Sequence, residues 1–566
     1  MSDNSTLHVV LMWHMHQPEY RDLRNHEYQL PWTYLHIIKD YVDMAVHLED
    51  NPDARAVVNF APVLLDQIQD YDKQVSDFLN YGTPIRDKLL SALAEPVLPA
   101  THEQCQKLIH DCLRANKPRI IDRFEPFKRL ADIAEHIDNS PDLLGYIADQ
   151  YIFDLLMWYH LAWMGETVRQ KNETVKQLIE KGGSFTIHDR RRLIDVIGDL
   201  IHSIIPRYRD LAHEGRIELA MSPYAHPIVP LLLDINSARE AMPDVSLPVL
   251  EKYPGGDDRV RWHLDKGLKA FQHHFGMTPT GCWPSEGSVS TDTLNYLEEA
   301  GFQWAASGGS VLHNSIDASE PDDIHCIHQG YRFENHGINC FFRDDGLSDL
   351  IGFNYSDWHA DDAVANLIHH LENIASACSD NEDSIVSIIL DGENAWEYFP
   401  ENGYHFLKAM YQQIAEHPDL HLTTYKKYLD SSPRTTTLGN LVAGSWVYGS
   451  FSTWIGDHDK NRAWDMLGEA KHAFDQAIAN NKLKGERLQK AEHQLAICEG
   501  SDWFWWFGDY NPASTVSDFE HLYRLNLSIL YNIIGCEPPD YLAQTFTHGS
   551  GAPAMGGVMR PGQQIK

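Results

Sequence analysis

The sequence predicts an α/β protein, a closed β/α barrel carrying a large helical insertion and followed by a helical carboxyl-terminal domain. Three observations lead there. Short apolar or β-branched runs alternate with amphipathic helical stretches from the start to about residue 430, the pattern of β/α units around a parallel sheet. Between the second and third of these runs lies a long stretch of helical pattern only. After "SSPRTTTLGN" the strand signals fade and helices dominate. At 566 residues the chain exceeds a single ordinary core, which stops growing at roughly 250–300 residues, so a large main domain and a second unit are expected. The boundaries read as a barrel over 1–430 with its insertion around 65–210, an α-helical domain over 431–545 that contributes to the cleft, and a flexible tail over 546–566.

In chain order the candidate strands are "HVVLMW", "RAVVNF", "RIELAM", "TGCWP", "FQWAAS", "INCFF", "SIVSIIL" and "LHLTT". Several are followed within a few residues by a helix signal. "STDTLNYLEEAG", for example, has a Ser/Thr cap at its start and a glycine at its end. Seven or eight such units favour a closed barrel over an open sheet. The insertion includes "DLLMWYHLAWMG", and an insertion of this size commonly walls a substrate cleft. Downstream, Trp464, Leu467, Ala470, Phe474 and Ile478 keep one helix face apolar, as do Leu522, Leu525, Ile529 and Ile533. The glycine-rich end, "HGSGAPAMGGVMRPGQQIK", offers little that can pack and predicts a mobile tail.

Composition narrows the function classes. A formal net charge of −35 repels phosphate backbones and anionic membranes, so neither nucleic acid nor membrane is the expected partner, and a neutral substrate fits better. Aromatics reach 11%, which leaves aromatic surface to spare. "MSDNSTLHVVLMWH" lacks a basic n-region and no run approaches a membrane span, which predicts a soluble cytoplasmic protein. Eight cysteines without a C-x-x-C pair predict reduced buried thiols rather than a disulfide framework.

In a β/α barrel the reacting side chains sit at the carboxyl ends of the strands, where the loops gather around one mouth. Three segments place polar residues there. In "LMWHMHQPEY", His14 and His16 point to the same side of the last extended residues, and Pro18 stops the strand. A pair of structural histidines would explain that segment alone equally well. In "GCWPSEGSVS", Trp283 closes the strand, Pro284 breaks it and Glu286 is left at the rim. A carboxylate beside an aromatic plate suits a sugar ring, whose apolar face stacks on the indole while the acid approaches the anomeric carbon. In "SIVSIILDGENAWEYF", Asp391 follows a buried strand directly, with Glu393 two residues on and Trp396 behind. An acid in that place is partly desolvated, which raises its pKa and lets it hold a proton near neutral pH. Capping the next helix is the competing role for Asp391. A glutamate and an aspartate on different strands of one barrel form the pair that retaining glycoside hydrolysis uses.

With these residues in view the chain resembles glycoside hydrolase family 57, in its α-amylase and amylopullulanase branch. "HMHQP", "GRIEL", "WPSE" and "LDGENAW" are similar to that family's first four regions, in the family's order, and "STWIGDHDKNRAWDML" and "SDWFWWFGD" are similar to that branch. The resemblance implies a distorted (β/α)7 TIM-like barrel, a retaining double-displacement reaction on α-1,4-glucans, Glu286 as nucleophile and Asp391 as general acid/base. It also implies substrate-binding roles for His14, His16, Glu218, Trp283 and Trp396, with Glu393 beside them, and an α-glucan polysaccharide or maltooligosaccharide as partner. No cofactor and no metal enter it. Trp454 and Asp457 are the preferred candidates for the fifth region, against Trp503 and Trp505, since the "WFWWF" cluster reads as core more readily than as a sugar platform. His226, in "SPYAHPIVP", is expected to border the cleft, unless Pro223 and Pro227 merely fix a turn there.

Three further readings remain at this stage. Transfer to a sugar hydroxyl, as in a 4-α-glucanotransferase or a branching enzyme, uses the same two carboxylates, and so does α-1,6 cleavage. A metal-dependent hydrolase would use His14, His16 and Asp391 as ligands, and the "HCIH" segment (His325, Cys326, His328) is a second, poorer metal candidate. A glycan-binding scaffold is the third, and it has no need of both acids. Oligomeric state is left open by the sequence.

Overall fold

The computed structural model describes residues 6–319, 327–508, 511–547, 549 and 559–562. Seven parallel strands build the barrel: β1 (Leu7–Met15), β2 (Ala56–Phe60), β3 (Ile217–Met221), β4 (Gly281–Cys282), β5 (Trp304–Ser307), β6 (Asn339–Phe342) and β7 (Ile385–Asp391). Neighbours in the sheet run β7-β1-β2-β3-β4-β5-β6. An isolated parallel bridge, Arg343 with Ser387, joins the end of β6 to β7, and Asp344 N donates to Ser387 O at 2.8 Å. The ring is therefore closed. The first seven expected strands are those seven.

The eighth, "LHLTT", is not a stave. Leu420–Thr423 pairs only with Leu7–Val10, the amino-terminal half of β1. Strand signal also continues past residue 430, where Thr435–Leu438 pairs in parallel with Gly330–Phe333, a strand that the sequence reading missed. Between β2 and β3 the chain is helical, from Pro62–Tyr81 to Ile187–His213. After the loop 439–457 the helices His458–Ala479, Gly485–Cys498, Ser501–Trp506 and Ala513–Ile534 follow.

Two-residue periodicity decides what faces the axis. Val10 and Met12 of β1, Val57 of β2, Ala220 of β3, and Ile385 and Ile389 of β7 form one buried cluster with Trp283, Trp304, Phe341, Tyr425 and Tyr428. Their alternates, such as Val9, Leu11, Trp13, Val58, Leu219 and Ile388, pack outward into the larger core with the helices. Read upward, the inner rows end on His14, Asn59, Ser222 and Asp391. The same period that fills the barrel with apolar side chains thus delivers polar ones to its mouth.

The described part of the tail does not behave as expected. Met559 is buried. Gly562 N donates to Asp349 at 3.0 Å, and Tyr448 N donates to Gly562 O at 2.9 Å, so residues 559–562 are packed against the barrel rather than free. Cys105, Cys112, Cys282, Cys340, Cys498 and Cys536 are free, whereas Cys378 is disulfide-bonded, against the expectation of reduced thiols throughout. Among the described residues no helix is long and apolar enough to cross a membrane.

Candidate active site

A cleft of about 510 Å³ opens at the carboxyl ends of the strands, and Glu286, Asp391, His14, His16 and Glu393 all line it. The expected site residues brought together there come from the ends of β1, β4 and β7. Glu286 follows β4 after Pro284 and is buried. Its backbone is left-handed, φ 59° and ψ 26°, a conformation that costs a non-glycine residue about 1–2 kcal/mol and persists only when its surroundings impose it. Trp446 imposes it twice. Its N donates to Glu286 O at 3.0 Å, and its Nε1 donates to Glu286 Oε2 at 3.0 Å. The other carboxylate oxygen receives Ser501 Oγ at 3.4 Å.

Asp391 ends β7 and accepts from Asn394 Nδ2 at 2.8 Å. Burial pushes its carboxyl up to about 6, against the Asn394 hydrogen bond and the charges of His16 and Arg343. Burial, then the charge of Asp391, then that of Asp502 push Glu286 well above the carboxylate range, against the bonds from Trp446 and Ser501. Both acids are therefore raised, and Glu286 feels Asp391 directly, so the pair resists carrying two charges near neutrality. Glu393 is also held well up by burial and by Asp391 and Asp40. Its Oε1 accepts from His16 N at 3.3 Å, Gln17 Nε2 at 3.2 Å and the Tyr41 hydroxyl at 3.3 Å.

Three imidazoles stack beside the pair. His226 lies 3.9 Å from His16 and 5.0 Å from His14 between ring centroids, with interplanar angles of 23° and 18°. His14 Nδ1 meets Asn59 Oδ1 at 2.6 Å. Burial, then the neighbouring His16, pull the His14 ring down to about 3, so it is neutral and its Nδ1 carries the proton to Asn59. His16 Nε2 bonds Asp502 at 2.9 Å. His16, His226 and Asp502 offer atoms within 4.8 Å of one another, the one such metal-sized group among the described residues. The His16 and His226 rings are stacked, however, so their in-plane lone pairs run side by side instead of converging. Asp391 stands outside that group, bonded to Asn394, which leaves the metal reading with His14, His16 and Asp391 without a common point. Of "HCIH", His325 and Cys326 lie outside the described residues, and His328 bonds Asp344 at 2.9 Å.

The remaining expected contacts are redistributed. Glu218 is the second residue of β3, level with Val57 and below the mouth. It accepts from Thr280 Oγ1, Trp304 Nε1 and Lys426 N, each at 2.8 Å, and serves as a polar pin in the barrel interior. Glu218→Ala should cost about 1–3 kcal/mol, because the buried Trp304 indole and two part-buried donors lose their acceptor, while the folded variant keeps turnover within a fewfold. Thermal unfolding set beside steady-state kinetics checks this; a large loss of turnover without loss of stability would contradict it. Trp283 is buried and meets Trp446 edge-on at 5.3 Å, so Trp446, not Trp283, is the indole at the cleft. Trp396 is core, donating to Gly392 O at 3.0 Å. His226 sits behind the cleft, its Nδ1 at 2.9 Å from Ser501 Oγ and 3.7 Å from Glu286. Trp454 is fully buried, and Asp457 caps the helix at His458 by accepting from Asp459 N at 2.9 Å. Of the alternatives, Trp503 is core, whereas Trp505 lines the cleft.

The sequence reading missed Trp446, Ser501 and Asp502. Asp502 stood inside a quoted segment, where an acid in the first turn after Gly500-Ser501 was the available signal. Trp446, framed by Gly444 and Gly449 in an otherwise structureless loop, gave a weaker one. Beyond the pair the cleft runs between three walls: Trp32 from the segment after β1, Trp163 and Arg114 from the insertion, and Trp505, Trp506 and Phe519 from the last helices. Aromatic plates suit the apolar faces of sugar rings, and the charged groups set among them, Lys39, Arg114 and Glu397, suit ring hydroxyls.

A profile of glycosyl hydrolase family 57 matches residues 10–439. A 1,4-alpha-glucan branching enzyme of Thermococcus kodakarensis is 25% identical over 167 residues, which cover 28% of this chain and only 21% of that protein. Among solved structures, the GH57-type branching enzyme from Pyrococcus horikoshii superposes with a TM-score of 0.55 at 14% identity, over 95% of this chain and 98% of that one. The α-amylase AmyC from Thermotoga maritima gives 0.56 at 12% identity, over 95% and 94%. At these identities the two structures establish the shared fold.

Proposed function

Since this chain belongs to glycosyl hydrolase family 57, we propose that it cleaves α-1,4-glucosidic bonds of α-glucans with retention of configuration, as an α-amylase. One observation carries the reading: Glu286 and Asp391 line one aromatic-walled cleft, with Glu286 held in a left-handed turn by Trp446 and Ser501. Glu286 attacks the anomeric carbon and forms a β-glucosyl ester as the bond to the leaving oxygen breaks. Asp391 donates its proton to that oxygen, then takes one from water, whose hydroxide displaces the ester and restores the α configuration. The form that reacts carries the single proton on Asp391 and leaves Glu286 ionised. Trp446 and Ser501 both donate to Glu286 and favour its carboxylate, and so does the positive charge that grows on the sugar at the transition state. His14 presents a bare Nε2 toward the cleft, an acceptor for a sugar hydroxyl. Glu393, its carboxyl raised by burial and by Asp391, borders the same cleft, and Trp446 and Trp505 supply stacking faces.

Replacing water by a glucan hydroxyl in the second step turns the same site into a transferase. That second reading is supported by the branching enzymes among the similar proteins. Product analysis on amylose, maltoheptaose and pullulan separates the outcomes. Shorter α-maltooligosaccharides with a matching rise in reducing ends are expected. Longer chains or new α-1,6 branches without that rise would replace the amylase reading by transfer, and inertness toward all three glucans would end both.

A further inference from the structure

We propose that Arg259, His263 and Glu499 form a buried clamp that positions Ser501 and His226 against the Glu286 carboxylate, and that its integrity sets turnover from outside the cleft. The inference rests on the reading of Glu286 as the nucleophile. Arg259 and His263 lie four residues apart on one face of the helix Gly256–Phe275. Both reach Glu499, which lies just before the Ser501–Trp506 helix. Arg259 donates Nε at 2.8 Å and Nη2 at 2.9 Å, His263 Nε2 lies at 2.8 Å, and the Tyr253 hydroxyl donates at 2.6 Å. Burial alone would raise the Glu499 carboxyl, but Arg259 and His263 outweigh it and pull it down to about 2, so it is an anion with its acceptor sites filled.

His263 also grips a second chain. Its Nδ1 accepts from Ala225 N at 3.3 Å and its carbonyl from Tyr224 N at 3.2 Å. The ring therefore carries its proton on Nε2, toward Glu499, and every polar atom of it is engaged. The next residue along, His226, is left-handed at φ 59°, which again costs about 1–2 kcal/mol and needs fixing from outside. The two gripped chains are then tied to each other. Ser501 N donates to His226 O at 2.9 Å, and Ser501 Oγ pairs with His226 Nδ1 at 2.9 Å. Ser501 Oγ and His226 are the groups that touch Glu286 from this side, at 3.4 and 3.7 Å. One helix thus holds both chains whose ends meet the reacting carboxylate. Gly500 fits the same closeness, since a Cβ there would approach Ala225 O to 3.0 Å.

None of the three clamp residues lines the cleft, so they are positioning residues, and the test needs a readout that fold stability alone would not move. His263→Ala removes both side-chain contacts and leaves the backbone bond from Tyr224 N, His263→Gln keeps a donor for Glu499 while abandoning Ala225, and Tyr253→Phe deletes one donor only. The measurements are kcat and KM on a maltooligosaccharide, the acidic limb of kcat/KM against pH, and a crystal structure of each folded variant. The charged and titratable groups around Glu286 are Asp391, Asp502, His16 and His226, all left in place. The expected result for His263→Ala is a kcat lower by about 10- to 100-fold with KM within about threefold. Its acidic limb should move to higher pH, because the Ser501 bond that lowers Glu286 is lost. Tyr253→Phe should move both quantities the same way by less, and it carries the test together with His263→Gln if His263→Ala does not fold. Folded variants with wild-type kcat and an unmoved limb would overturn the clamp. A wild-type protein inert on glucans, with Ser501 displaced in the variant structures, would leave the clamp standing and remove the glucan reading instead.

Discussion

Glu286→Gln is expected to abolish measurable hydrolysis of maltooligosaccharides, with turnover down by on the order of 10⁴ to 10⁶ and the fold intact. The amide is nearly isosteric, its oxygen can take the place that accepts from Trp446 Nε1 while its NH2 faces Ser501 Oγ, a hydroxyl able to accept, so the loss reports chemistry rather than packing. A neutral amide cannot form the glucosyl ester, and it withdraws the negative charge that faces the oxocarbenium-like transition state. Glu286→Ala with added azide identifies the role. The small anion enters the vacated space, attacks the anomeric carbon and leaves a β-glucosyl azide, inverted relative to the substrate. A folded Glu286→Gln variant with near-normal rates, or an α-configured azide from Glu286→Ala, would remove the nucleophile assignment.

Asp391→Asn is expected to lower cleavage of unactivated glucans by about 10³-fold and to change the pH profile in a direction fixed by the site. Asp391, raised to about 6 by burial, is half protonated near that pH in the free enzyme. A general acid must hold its proton, so the alkaline limb of kcat/KM falls through that region in the parent and is absent from the variant. Glucosides with a good leaving group, such as a nitrophenolate, need no proton for the first step and should retain far more of their rate. Equal loss on activated and unactivated substrates would contradict the assignment.

The fold was legible because its signal is local. Each of the first seven apolar runs is a strand, and the polar residue that ends the run was enough to put His14 and Asp391 at the strands' carboxyl ends, whereas which row faces the axis came only with the closed barrel. Glu286 was legible because Pro284 stops β4 just before it. The same rule, applied strictly, would have placed Glu218 low in the barrel, since it lies two positions before Ala220 on the same inward row. The run at Leu420–Thr423 has strand chemistry as good as the others. Only the register along β1 decides that it flanks the barrel instead of joining it.

The two acids, their strands and the enclosing barrel were therefore determined by the sequence itself, through short-range periodicity and chain breaks. What holds Glu286 in place was decided by tertiary structure: Trp446 is 160 residues away and Ser501 is 215, and Asp502 reaches His16 across 486. Which tryptophans line the cleft was decided there too. An indole carries the same apolar area in a core as at a cleft wall, so no pattern around Trp283, Trp396 or Trp454 distinguishes them from Trp446 and Trp505. The difference lies in what packs on them from distant parts of the chain, and that exists only once the barrel has closed and the last helices have docked against its mouth.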